Sequence, residues 1–155
     1  SHSARIAGEL KAITADHLMM VSNEGIKALS ENKIIATLLP GTTFFLGQNN
    51  YVDARKMLDV GCEVALASDF NPGSCTINSL PQIMFLAISY CNMTFEETFK
   101  AVTYNAAKAI NRNTKLVDIT GTNNGGKRAS FKCLGLSFLS LSVCTRELPW
   151  FVIVL

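Results

Sequence analysis

The groups best placed to do chemistry in this 155-residue chain begin with residues 64–74, Val-Ala-Leu-Ala-Ser-Asp-Phe-Asn-Pro-Gly-Ser. An uncharged run over 64–67 is followed by an acid, Asp69, and Asn71-Pro72-Gly73-Ser74 turns the chain directly afterwards. A strand buried on both faces has this composition, and an acid at its carboxyl end points into the site built by strand-to-helix loops. Asp69 could equally cap a turn or a helix, and the pattern does not separate the two. His17 ends an earlier apolar stretch in the same way. A His and an Asp that end two strands of one parallel sheet share a rim. There they could hold a metal or share the work of a general base. His17 could instead be a histidine bonded to a backbone carbonyl. The turn adds an amide on Asn71, an unobstructed N–H on Gly73 and a hydroxyl on Ser74, which suit a carboxylate or an amide. An ordinary turn would use Pro and Gly equally well. One Asp and one His do not supply the three protein ligands of a catalytic zinc, so any such site in this chain is incomplete. His2 lies near the terminus, and Asp16 is expected on the opposite strand face from His17.

The elements that must position these groups follow a rhythm. A helix over 4–12 is expected to bury Ile6, Leu10 and its alanines. A strand over 13–20 precedes a helix opened by Ser22, with Ile26 and Leu29 inward and no strict capping box. A buried strand over 34–39 is stopped by Pro40-Gly41, and an aromatic, polar loop over 42–50 follows. The helix over 52–60 turns Val52, Met57 and Leu58 inward and Arg55, Lys56 and Asp59 outward. Strands and helices thus alternate at roughly 25 to 30 residues per unit, the signature of parallel βα units. Residues 82–91 read as a buried helix, with Pro81 comfortable at its start. Thr94 and Glu97 form a capping box for a helix reaching to about 110. Beyond it, 121–126 is a turn-rich hinge, and the alternating apolar residues of the tail read as a strand or strand pair.

Composition narrows the possibilities. With 48% hydrophobic and 17% charged residues, the chain can bury a core and is not generally disordered. A net charge of +2 without a basic run leaves nucleic acid without a footprint. Cys62, Cys75, Cys91, Cys133 and Cys144 are odd in number and form no CxxC pair, so reduced, buried thiols in a cytoplasmic protein are expected. The apolar run over 133–155 is broken by Thr145-Arg146-Glu147 and Pro149 into pieces too short to span a bilayer, so no membrane partner is expected. Ser1-His2-Ser3-Ala4-Arg5 reads as a start inside a larger reading frame.

Ala65-Leu66-Ala67-Ser68-Asp69-Phe70-Asn71-Pro72-Gly73-Ser74 closely resembles the last barrel strand of the imidazolonepropionase family, within the amidohydrolase superfamily. The resemblance runs in register from about Ala7 to Ile110. It takes in Ala15-Asp16-His17-Leu18, Val21-Ser22-Asn23-Glu24-Gly25-Ile26, Leu38-Leu39-Pro40-Gly41 and Ala101-Val102-Thr103-Tyr104-Asn105-Ala106-Ala107. Asp-Phe-Asn-Pro-Gly-Ser is far narrower than the strand-end Asp of the superfamily at large.

The resemblance implies an α/β fold, the last three βα units of a (β/α)₈ barrel over 1–111, with a linker over 112–127 and a divergent tail over 128–155. It implies that Asp69 binds a zinc or iron ion and helps accept the proton of the attacking water. His17 would polarise the substrate carbonyl, Asn71 and Gly73 would contact the product N-formimidoyl-L-glutamate, and Ser74 the imidazolone substrate. The family opens the ring of 4-imidazolone-5-propanoate in histidine degradation, and its full-length members are expected to be cytoplasmic homodimers acting on this small molecule. The family's His-x-His pair, its fifth-strand histidine and the Glu that follows are absent here. Residues 128–155 do not resemble the family, as expected of a partial gene product with a shifted frame or retained intron. This chain alone is therefore expected to be inactive. The alternatives are a non-catalytic barrel fragment that needs a partner chain, or another amidohydrolase, a deaminase or cyclic amidase.

Overall fold

The computed structural model describes residues 3–110. The expected hinge, linker and tail, with Cys133 and Cys144, lie outside the described residues. Three short strands, β1 (Thr14–Asp16), β2 (Ile35–Leu38) and β3 (Val64–Leu66), pair in parallel in the order β1-β2-β3. Asp16 lies opposite Thr37, Thr37 opposite Ala65 and Leu38 opposite Leu66, so the three carboxyl ends are level. The central and third strands are almost wholly buried, whereas β1 is half-buried throughout. Helices α1 (Ser3–Glu9), α2 (Asn23–Glu31), α3 (Pro40–Phe45), α4 (Ala54–Asp59), α5 (Leu80–Tyr90), α6 (Phe95–Lys100) and α7 (Ala106–Ala109) surround them, with a π-helical turn over Ala101–Asn105.

Local chemistry explains most boundaries. The Ser22 hydroxyl accepts from the Gly25 N–H at 3.2 Å and opens α2, which buries Ile26 and Leu29 as its spacing predicts. Ser79 caps α5 in the same manner, with Pro81 in its first turn. Thr94 and Glu97 complete the predicted reciprocal box at α6. Leu29, Ile34, Leu38, Met57, Val64, Ile83 and Leu86 join sheet and helices in one core.

Several expectations are corrected. The first strand is three residues long, because the backbone leaves the extended region at His17 and Leu18, both with φ near +60° (64 and 56°). Pro40-Gly41 does not merely stop a strand. Proline's fixed φ suits a helix start, and α3 occupies the first part of the expected loop. The inward face of α1 consists of Ala4 and Gly8, while Leu10, just beyond the helix, is 76% exposed and Ile6 is exposed as well. The reason is close approach to α2: a Cβ on Gly25 would stand 3.1 Å from Ala4 Cβ. On α5, Phe85 is 62% exposed and Ile88 is also on the surface, so that helix is buried on one side only. Among the described residues the thiols of Cys62, Cys75 and Cys91 are free and buried, as expected. Burial pushes Cys91 up to about 11 and raises the other two, so these thiols stay protonated and unreactive at neutral pH.

Gly41 meets the tightest packing near the sheet's carboxyl end. A Cβ there would lie 2.7 Å from Ile83 Cδ1 and 2.9 Å from Cys75 Sγ, both fully buried side chains with nowhere to retreat. Gly41→Ala is expected to cost about 1–3 kcal/mol of stability, the usual penalty of overpacking, read from the urea midpoint.

Arg55 was expected to face outward, yet it spans α4 and α6. Its Nη1 and Nη2 donate to Glu97 Oε1 and Oε2 at 3.0 and 2.6 Å, and Nη2 also donates to the Asn92 carbonyl. The Arg55 guanidinium, followed by the Thr94 N–H, holds the Glu97 carboxyl down at about 2. A depressed carboxyl stabilises the fold fully above its ordinary value of 4.5, and that contribution disappears as the pH falls towards 2. The stability gap between the native chain and Glu97→Gln should therefore be widest above pH 4.5 and close towards pH 2. Chemical denaturation across that window checks it.

Candidate active site

The two outer strands of a three-stranded sheet stand two strand spacings apart, about 10 Å. His17 after β1 and Asp69 after β3 bridge that gap above the end of β2. His17 Nε2 lies 3.9 Å from Asp69 Oδ2, too far for a hydrogen bond but within the range of charge interaction. The His17 N–H donates to the Thr37 carbonyl at 3.0 Å, extending the ladder one residue before the chain turns away. Its side chain is 34% exposed, while that of Asp69 is 4% exposed. Both residues have positive φ, 64° and 50°. Residues held in that region cluster at functional sites, where surrounding structure must enforce them.

The Asp69 carboxylate caps no helix. The Thr42 hydroxyl, on α3, donates to Oδ2 at 2.8 Å, and Oδ1 is buried with no hydrogen-bond partner. An anionic oxygen buried without a partner costs on the order of 1–3 kcal/mol or more and calls for a specific explanation. A cation ligated by Oδ1 would remove that cost, so Asp69 fits the role of a metal-holding carboxylate. Among the described residues no group of three or more His, Cys, Asp or Glu is placed to hold a metal ion.

The Asn71-Pro72-Gly73-Ser74 turn forms, but its donors are not free. Asn71 Oδ1 accepts from the Gly73 and Ser74 N–H groups at 2.9 and 2.8 Å. Asn71 Nδ2 donates to the Asp69 carbonyl and to Ser74 Oγ at 2.7 and 2.8 Å. The backbones of Asn71 and Cys75 close the turn as a bridge. These bonds tie the turn to the Asp69 backbone and give it a fixed shape. The expectation of unengaged donors is thereby corrected; Asn71, Gly73 and Ser74 lie together beside Asp69, with Asn71 and Ser74 half-buried and Gly73 exposed.

A shallow notch lies beside His17, lined by Met19, Leu39, Pro40, Thr43 and Tyr51 among others. Sequence reasoning passed over Thr42 and Thr43, which follow a Pro-Gly pair and read as loop residues. It also passed over Asn105, whose Nδ2 donates at 2.6 Å to the Val64 carbonyl on the outer edge of β3. The π-helical turn aims Asn105 at that edge.

No family model matches the chain. Curated proteins do: the imidazolonepropionase of Phocaeicola vulgatus is 48% identical over 132 residues, 85% of this chain and 31% of that protein. The chain is related to the imidazolonepropionases. The Porphyromonas gingivalis imidazolonepropionase is 47% identical over 131 residues, 84% of this chain and 30% of its own length. That of Bacillus velezensis is 51% identical over 109 residues, 70% of this chain and 26% of its own length. The chain thus spans less than a third of the curated imidazolonepropionases it matches. The 132-residue match is longer than the 7–110 stretch and continues past Ile110. Among solved structures, Escherichia coli guanine deaminase superposes with a TM-score of 0.54 and 18% identity, covering 66% of this chain and 24% of that one. At that identity the likeness is one of fold, a parallel α/β arrangement shared with a deaminase. No helix among the described residues is long and apolar enough to cross a membrane.

Proposed function

We propose that the chain is the C-terminal third of the catalytic barrel of an imidazolonepropionase, a metal-dependent hydrolase that opens 4-imidazolone-5-propanoate to N-formimidoyl-L-glutamate. The observation that carries this is the buried Asp69 carboxylate, with Oδ1 unpartnered and His17 beside Oδ2 on one sheet rim. The relation to imidazolonepropionases supports the substrate.

In the reaction, water adds to the ring carbonyl, the carbonyl C–N bond breaks, and the departing ring nitrogen takes a proton. Asp69 would hold the zinc or iron ion, which supplies Lewis acidity and a lowered water pKa when bound. The Asp69 carboxylate also accepts the proton of the attacking water. His17 Nε2 donates to the substrate carbonyl oxygen and steadies the oxyanion as it forms. Asn71 and Gly73 would border the ring-opened product and Ser74 the intact ring, as the outer surface of a turn whose donors are engaged within it and hold its shape. Pre-formed shape of this kind reduces the ordering cost of binding.

A second reading, a barrel fragment that needs a partner chain, is favoured by the sheet itself. Among the described residues β1 and β3 are both edge strands, and exposed Ile6, Leu10 and Ile13 cluster in sequence before β1. The two readings are compatible, since among the described residues no group of three or more His, Cys, Asp or Glu is placed to hold a metal ion. Metal-loaded chain alone is expected to leave imidazolone propionate absorbance unchanged. A hybrid in which this chain replaces the matching segment of the Phocaeicola vulgatus imidazolonepropionase is expected to consume it. A folded hybrid that deaminates guanine and spares the imidazolone would move the reading to a deaminase.

A further inference from the structure

We infer that Thr42 is the positioning residue of the Asp69 carboxylate, its hydroxyl locking Oδ2 so that Oδ1 is the oxygen left for a ligand. The inference rests on the proposed role of Asp69 and adds to it the group that aims the carboxylate. Asp69 has two rotatable side-chain bonds and sits on a backbone with φ +50°, so nothing in its own conformation selects one oxygen. Thr42 can select one. Its hydroxyl is a donor, and the residue is buried. It is also the third residue of α3, so no helical carbonyl lies four residues before it to capture its hydroxyl. That hydroxyl instead reaches across 27 residues of sequence to Asp69 Oδ2 at 2.8 Å. Oδ1 is buried and has no partner, so the single bond from Thr42 distinguishes the two oxygens. His17 Nε2 approaches Oδ2 as well, at 3.9 Å, and the locked carboxylate sets that separation.

The adjacent Thr43 is a built-in control. It is also buried, on the same helix, but its hydroxyl points to Met19 Sδ at 3.8 Å. If burial of a threonine were what mattered, the two positions would respond alike.

The test uses the isotope-labelled 155-residue chain and reads the Asp69 χ1 couplings and side-chain carbonyl shift by nuclear magnetic resonance. Thermal unfolding of each variant runs alongside. The native chain, Thr42→Ser and Thr43→Val are expected to show one Asp69 rotamer. Thr42→Val is expected to lose it, giving averaged couplings and a shifted carboxyl carbon, and Thr42→Ala provides the same reading should valine prevent folding. Unchanged Asp69 couplings in a folded Thr42→Val or Thr42→Ala chain would overturn the inference. So would averaging in Thr42→Ser, because packing of the methyl and not the hydroxyl would then set the carboxylate. Neither readout depends on turnover. The role of Asp69 itself fails separately, if Asp69→Asn leaves the hybrid active.

Discussion

Asp69→Asn in the hybrid enzyme is expected to lower kcat/KM by at least about 10³-fold, roughly 4 kcal/mol of transition-state stabilisation. The same substitution in the chain is expected to raise stability by about 1 kcal/mol. The two signs come from one cause. Asp69 is 4% exposed, and only Oδ2 has a hydrogen-bond donor. Burying an unpartnered anionic oxygen opposes folding, and a neutral amide of the same shape is cheaper to bury. A residue kept at a cost to the fold is the pattern of a functional acid. Were Asp69 a turn cap, its loss would destabilise the chain and leave chemistry intact. Urea midpoints and steady-state kinetics on the same substitution separate the two.

His17→Asn is expected to reduce the hybrid's kcat by about 10²- to 10³-fold, the range seen when one donor to a developing oxyanion is removed. The effect should fall mainly on kcat, since this bond strengthens only as charge develops on the carbonyl oxygen. Asparagine is the informative replacement because it tolerates the positive φ of 64° found here. The side chain is one-third exposed and makes no hydrogen bond to Asp69, so stability should change by no more than about 0.5 kcal/mol. A large loss of stability would instead assign His17 a packing role, and an unchanged kcat would remove it from the chemistry.

How far the sequence anticipates these results depends on the range of each interaction. The βα rhythm is legible because buried strands and amphipathic helices each impose a local period. Ser22, Thr94 and Glu97 are legible because a cap bonds within three residues of itself. The pairing of His17 with Asp69 across the rim is legible once the strands are parallel. What is hidden lies at long range. The reach of Arg55 to Glu97 crosses 42 residues, and that of Asn105 to Val64 crosses 41. Thr42 looks like a loop residue until α3 forms and faces Asp69. The apolar residues Ile6, Leu10 and Phe85 misled in another way. Their hydrophobicity predicts burial, and the described residues do not cover them. The Asn71 turn shows the opposite effect: donors that look available in sequence satisfy one another once the turn closes.

Elemental analysis of the purified hybrid tests most directly the claim that Asp69 carries part of a metal site. One zinc or iron ion per hybrid subunit is expected, falling to well under one in Asp69→Asn while the variant remains folded. Full metal occupancy in folded Asp69→Asn would contradict the account.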